Sequence, residues 1–214
     1  MSIIANEYGL TPLVPGMEGP RAEKVEDVVG LFDFDSYAGQ GRVDYILGAS
    51  QHGGGVYVVG KCEDPFQQSY LNYYKVTNKH PYYLFMRPYH LCHLETPRAV
   101  ALAALYGKAV CTMRKGRVTD TYAYAKKILR PDERVQHAIG SDEVYGLIME
   151  AKAADAAGLV PQGVLDVEDS TERPVIKRRV LKDEPLCWDD VELPAGRMTE
   201  LWEQQRRMDF RLQS

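Results

Sequence analysis

The chain lacks any apolar run approaching the ~20 residues needed to cross a bilayer. Its opening, MSIIANEYGL, also lacks a basic stretch followed by an apolar core. Together these absences predict a cytoplasmic protein with no membrane partner. Cysteine is scarce and scattered: Cys62, Cys92, Cys111 and Cys187 form no C-x-x-C pair, in a chain of 214 residues that is long enough to fold without staples. They read as reduced thiols, mostly buried. Positive charge is not in excess either. A formal net charge of −4 and a pI near 5.8 argue against nucleic acid as the main partner, since that needs clustered cations. The run Lys177, Arg178, Arg179 is too short to change this and reads as an exposed strand edge. Nowhere does a strand run through G-x-G-x-x-G into a helix, so no nucleotide-binding βαβ unit is visible.

What is present is an ordinary globular composition, 45% hydrophobic and 26% charged, enough for one sizeable core or two small ones. The most informative stretch is YYLFMRPYHLCHLETP, residues 82–97. It sets Arg87, His90, His93 and Glu95 in an otherwise apolar and aromatic run. One cation, two imidazoles and a carboxylate together suit an anionic or polyhydroxylated ligand and the movement of protons. The same residues also fit a second description, in which they are half-buried polar groups hydrogen-bonded within a sheet. In an extended segment His93 and Glu95 would share one strand face while His90 and Cys92 would not, so three ligands for zinc would not converge without a bend.

Along the chain, SIIANEYGL reads as the end of a helix capped at Tyr8-Gly9, followed by a Pro- and Gly-rich loop. A chain that opens inside an element is expected to have lost what preceded it. Val25, Val28, Val29 and Phe32 have the spacing of an amphipathic helix over 21–33. VDYILG and VYVVG, separated by ASQHGGG, read as a hairpin. Gly53, Gly54 and Gly55 are either a backbone that can approach a ligand closely or a flexible turn; no helix start follows them, which favours the turn. FQQSYLNYYK reads as a short helix, and Lys75 and Lys79 beyond it are solvated lysines or phosphate-binding point charges. Thr96 as N-cap and Pro97 at the first helical position predict a helix ending at Gly107.

Residues 108–194 carry short β-like runs, AVCTM, YAYAKKIL, VQHAI, VLDVE and RPVIKRRVL, with frequent turn signals, as in a mostly β unit. Two segments within it, KKILRPDERV and RRVLKDEPLCWDDVEL, repeat one plan: a basic strand, a polar turn with Pro and acids, then an apolar step. The tail GRMTELWEQQRRMDFRLQS has apolar residues at near-helical spacing and reads as an amphipathic helix. The expected organisation is therefore α+β, with a mixed domain over 1–107, a β unit over 108–194 and a helix over 195–214.

The half-repeat resembles the SAF (β-clip) domain, whose strand, turn and closing D-V-E-L correspond to AKKILRPDERV and KRRVLKDEPLCWDDVEL, with Asp132 where that pattern has a turn glycine. Together with GLTPLVPGMEGP, VDYILG, GGGVYVVG and PYYLFMRPYHLCHLETP, residues 2–194 resemble the C-terminal half of homoserine-dehydrogenase-like proteins that end in a SAF domain, including deoxyxylulose-phosphate-reductoisomerase-like enzymes.

The resemblance implies a mixed α/β substrate domain followed by a mostly β SAF domain. It also implies NAD(P)H held mainly by a Rossmann domain absent from this chain, and a small hydroxy-carbonyl substrate, phosphorylated or not. The chain is then a fragment, a split subunit completed by a separate nucleotide-binding chain, or a stand-alone relative without hydride transfer. On that reading Lys75, His90, His93 and Glu95 are the catalytic candidates, with or without a divalent ion. Lys79, Arg87 and Gly53–Gly55 bind substrate, and the assembly is a homo-oligomer. The competing reading is a non-enzymatic SAF-type binding or assembly module, in which the cluster residues satisfy one another and are closed to solvent.

Overall fold

A computed structural model of the chain describes residues 1–49, 54–89, 91–167 and 172–208. In chain order the elements are α1 (Ser2–Tyr8), α2 (Val28–Leu31), β1 (Gly55–Lys61), α3 (Pro65–Tyr73), β2 (Asn78–Lys79), β3 (Tyr82–Pro88) and α4 (Cys92–Tyr106). They continue with β4 (Thr119–Ala125), β5 (Val144–Glu150), α5 (Ala151–Ala156), β6 (Val175–Ile176), β7 (Val191–Glu192) and α6 (Arg197–Arg207). The class is α+β. Every sheet is antiparallel, and among the described residues no Rossmann-like parallel sheet occurs.

The chain divides into two compact units. The first gathers Met1–Met17, Gly41–Val43 and Cys111–Ser214; the second is Glu18–Gln40 with Asp44–Val110. The N-terminal helix thus belongs with the C-terminal β unit, where Ala5 packs with Ile148 and buried polar groups add to the contact. Asn6 is buried and its Oδ1 accepts the Val118 and Thr119 N–H groups, each at 2.8 Å, while its Nδ2 donates to the Thr119 carbonyl at 3.1 Å. Glu7, 5% exposed, accepts the Thr112 N–H at 2.8 Å and bonds the Arg114 guanidinium. Gly9 ends α1 in the left-handed region at φ 73°, as a helix C-cap requires.

The main core cluster of the first unit includes Leu129, Val135, Val144, Val160, Leu165, Ile176, Val180, Leu186 and Trp202, with two smaller clusters around Ala5 and around Tyr122. Its frame is a pseudo-two-fold. The Leu129 and Val180 backbones exchange hydrogen bonds at 3.0 and 3.1 Å. Around that pair the two halves of the repeat make matching bonds: the Asp132 N–H to the Ile176 carbonyl and the Asp183 N–H to the Ala125 carbonyl, then Val135 to Pro174 and Leu186 to Ala123. Both turn aspartates sit at φ 66°, and in each turn a glutamate (Glu133, Glu184) accepts the N–H three residues back. Arg117, its side chain 12% exposed, bonds Asp120 and Asp155 and lies 4.4 Å from the Trp202 ring of α6.

The second unit is built on the sheet β1–β3–β2, with Val58 opposite Phe85 and Val59 opposite Leu84. Alternation puts Tyr57, Val59, Tyr82 and Leu84 on one face and Val56, Val58, Phe85 and Arg87 on the other. The first face is covered: Tyr82 donates to Asp35 at 2.5 Å, its ring meets Phe34, and Leu84 is buried. The second face is open, with Val56, Val58 and Phe85 exposed and α3 nearby. Helix α3 starts at Pro65 under an Asp64 cap whose Oδ1 accepts the Phe66 and Gln67 N–H groups.

Several expectations are corrected. VDYILG is not the first strand of a hairpin. Val43 donates to the Thr11 carbonyl and Leu47 to the Pro20 carbonyl, while β1 finds its apolar match in β3. The helix expected over 21–33 shortens to a 3₁₀ turn at Val25–Asp27 followed by one turn at Val28–Leu31, with Gly30 weakening the run. The helix expected from Thr96 begins at Cys92, with Leu91 as N-cap and Pro97 in its second turn, where the missing N–H leaves the His93 carbonyl without a helical donor. In the β unit AVCTM, VQHAI and the described residues 164–167 of VLDVE form no strand, and β5 with α5 occupies residues 144–156, where no element was expected.

Candidate functional site

Strand β3 and the helix that follows it bring the candidate side chains as far together as they come. Arg87 occupies the end of β3 and Glu95 the first turn of α4, and the Arg87 Nη2 meets the Glu95 Oε1 at 2.5 Å. The side chains are 61% and 42% exposed, so one corner of the guanidinium fork is engaged and much of the rest faces solvent. A carboxylate in the first turn of a helix is also favoured by the N-terminal end of the helix dipole. Gly55 pairs with Pro88, and a Cβ there would stand 2.7 Å from the Arg87 carbonyl oxygen. Gly54 holds φ at 106° and accepts the Tyr89 N–H at 3.2 Å. These glycines are thus required by the close approach of the β1 start to the β3 end, on which Arg87 stands.

The other candidates separate from this pair. His93 lies on α4 two residues before Glu95. On a helix that turns the two side chains about 200° apart, so they do not share the face expected of a strand. Lys79 pairs with Tyr82 at the opposite end of β3, roughly 17 Å from Arg87 along the strand. It cannot join Arg87 on one small anion, as the sequence suggested. Lys75 is exposed just after α3 at φ 54°, on the Lys79 side. His90 and Gly53 lie outside the described residues. Among the described residues no three His, Cys, Asp or Glu side chains gather to hold a metal ion.

Two features escaped sequence reasoning. Tyr57, on the covered face of the sheet, has a buried hydroxyl with no hydrogen-bond partner among the described residues, and burial together with the nearby Asp44 raises its pKa. Strict alternation in GVYVVG was the one signal that pointed it inward. An open cleft of about 520 Å³ lies between α3 and the sheet, lined by Cys62, Phe66, Tyr70, Tyr74, Tyr83 and Phe85. It contains none of the candidate residues. Its aromatics come from α3 with the tyrosine that follows it and from β3, two elements that periodicity alone does not bring together.

An α+β unit with an open arginine–carboxylate pair at a strand-to-helix junction is a frame that enzymes acting on small anionic substrates can use. Residues 1–96 match the family model for the catalytic domain of oxidoreductase DRL, and this stretch contains every candidate from Gly53 to Glu95. The match supports an oxidoreductase role. No curated protein matches the chain.

Proposed function

We propose that this chain supplies the substrate-binding and catalytic portion of an NAD(P)-dependent oxidoreductase acting on a small hydroxy-carbonyl compound, in phosphorylated or free form. The observation that carries the reading is the exposed Arg87–Glu95 pair within the stretch that matches an oxidoreductase catalytic domain. The described residues contain no parallel sheet and no glycine-rich strand-to-helix turn, so they do not fit a dinucleotide on their own. A separate nucleotide-binding domain or chain is therefore part of the proposal, and residues 108–194 take the SAF role. A nicotinamide bound there would supply the hydride chemistry at the substrate carbon.

The work assigned to this chain is electrostatic and acid–base. Arg87 binds the substrate's carboxylate or phosphate through its planar fork, and in doing so releases Glu95. Glu95, freed beside the substrate, takes or returns the hydroxyl proton. A non-enzymatic SAF-type module would have these side chains closed to solvent, whereas both are open. Helix α4 supplies a docking surface for the nucleotide-binding partner: its fifteen residues include none that is buried, and Leu94, Val100, Leu105 and Tyr106 are all exposed.

The test is to follow NAD(P)H fluorescence with this chain alone, with the product of an adjacent gene that encodes a strand–G-x-G-x-x-G–helix unit, and with both. A change specific to the mixture, which Arg87→Ala leaves intact while raising the KM for the carbonyl substrate, is the expected result. Nucleotide binding by this chain alone, or a mixture behaving as the sum of its parts, would overturn the proposal.

A further inference from the structure

Strand β1 is an edge, since the sheet order is β1–β3–β2. Which of its backbone groups are free follows from the bonds at its two ends. Gly54 accepts from Tyr89 and Cys62 donates to the Pro81 carbonyl, so the even-numbered residues between them bond toward β3. The N–H and C=O groups of Gly55, Tyr57, Val59 and Lys61 therefore point away from the sheet, and no described residue pairs with them. Free edges in natural proteins are blunted by prolines, charges, bulges or brevity. The opposite edge, β2, is two residues long and carries Lys79. β1 is seven residues long, contains no proline, and bears a single charge, Lys61, at its last position and bound to Glu63 at 2.6 Å.

We propose that β1 is a self-association edge, where a second copy of this chain adds its own β1 antiparallel about a two-fold axis through Val58. The strand is self-complementary in that register. Val58 lies opposite Val58 of the other copy, Tyr57 opposite Val59, Val56 opposite Gly60 and Gly55 opposite Lys61, so no like charges face each other. The outward-pointing residues meet one another as hydrogen-bonded pairs, as an antiparallel ladder requires. Two three-stranded sheets become one continuous sheet, and the exposed Val56, Val58 and Phe85 of each copy form one apolar surface. A different polypeptide adding a strand would lack this symmetry, and the test separates the two cases. The proposal does not depend on the chemistry assigned to Arg87 and Glu95, and it can fail while that reading stands.

The full chain's mass is measured by sedimentation equilibrium, and then that of two variants aimed at the edge. Val58→Lys, at a side chain 65% exposed, places two like charges opposite each other. Val59→Pro removes an outward N–H without removing a bond to β3. The expected result is a dimer for the parent chain and a monomer for both variants at the same concentration, with unchanged circular dichroism. Because either variant could disturb folding, a third is read by chemistry. In a chain with Cys62→Ser and Cys92→Ser, Val58→Cys sits at a non-hydrogen-bonded pair whose Cα atoms approach to about 4.5 Å. Oxidised glutathione should join two copies through a reducible disulfide there, and should not do so for Val56→Cys. A monomeric parent chain, a dimer indifferent to Val58→Lys and Val59→Pro, or absence of the Val58→Cys cross-link would overturn the proposal.

Discussion

The two units bury their apolar residues in opposite ways. The first closes a core from both halves of its repeat, with Leu129, Ile176 and Leu186 at 1% exposure or less. In the second, among the described residues, the buried hydrophobics are Ala22, Val28, Tyr83 and Leu84, whereas Val56, Val58, Phe66, Tyr70, Phe85 and the length of α4 are exposed. A helix of that length draws most of its stability from packing an apolar face, and α4 has no such packing here. The difference teaches that the first unit closes a core of its own, while the second leaves apolar surface open, the surface on which the proposed nucleotide-binding partner would dock. The exposed Arg87–Glu95 pair belongs to this open unit.

The comparison is tested most forcefully by truncating one apolar side chain in each unit. Leu186→Ala should lower the unfolding free energy of the first unit by about 2–5 kcal/mol in urea titrations, because a packed site cannot fully collapse. Phe85→Ala, at a half-exposed position, should cost no more than about 1 kcal/mol; equal losses would break the contrast. With the proposed nucleotide-binding partner added, Glu95→Gln should lower kcat by about 100-fold or more. Arg87→Ala should raise KM roughly 10- to 100-fold, and neither should move Tm appreciably, since an exposed ion pair contributes about 0–1 kcal/mol.

A smaller effect concerns acid. Arg114, with the Thr112 N–H, holds the Glu7 carboxyl down to about 2 from its ordinary value of 4.5. The folded state therefore binds that proton less readily than the unfolded chain, and the resulting stability is present above pH 4.5 and lost as pH falls toward 2. Glu7→Gln should lower Tm at neutral pH and flatten its fall over that range, while an unchanged acid profile would show that α1 is held by Asn6 alone. Smallest of all, Asp132→Gly should raise the stability of the first unit by about 0.5–1 kcal/mol, since φ 66° strains any side chain.

What could be read from the sequence follows from range. Helices α1 and α3 were legible because their signals are local: a glycine after Tyr8, and aspartate then proline before Phe66. The repeat around Asp132 and Asp183 was legible because it is written twice. The start of α4 was not, because Thr96-Pro97 imitates a helix start while Leu91 carries no capping side chain. That error put His93 and Glu95 on a strand and gave them a common face they do not have. The hairpin was misplaced for a different reason: VDYILG is strand-like in composition, but the sheet register is set by Leu84 and Phe85, more than thirty positions away. Arg87 and Glu95 were singled out within one stretch, but their ion pair was not foreseen, nor was the separation of Lys79 from them, since only the antiparallel register places the lysine at the far end of β3.

Hydrogen exchange of the α4 amides compared with those of β4 and β5, for the chain alone and with its nucleotide-binding partner, tests the central claim most directly. Fast exchange over residues 92–106 in the isolated chain, slowed on addition of the partner while β4 and β5 stay unchanged, is the result the account predicts. Protection of α4 already equal to that of β4 and β5 in the isolated chain would contradict it.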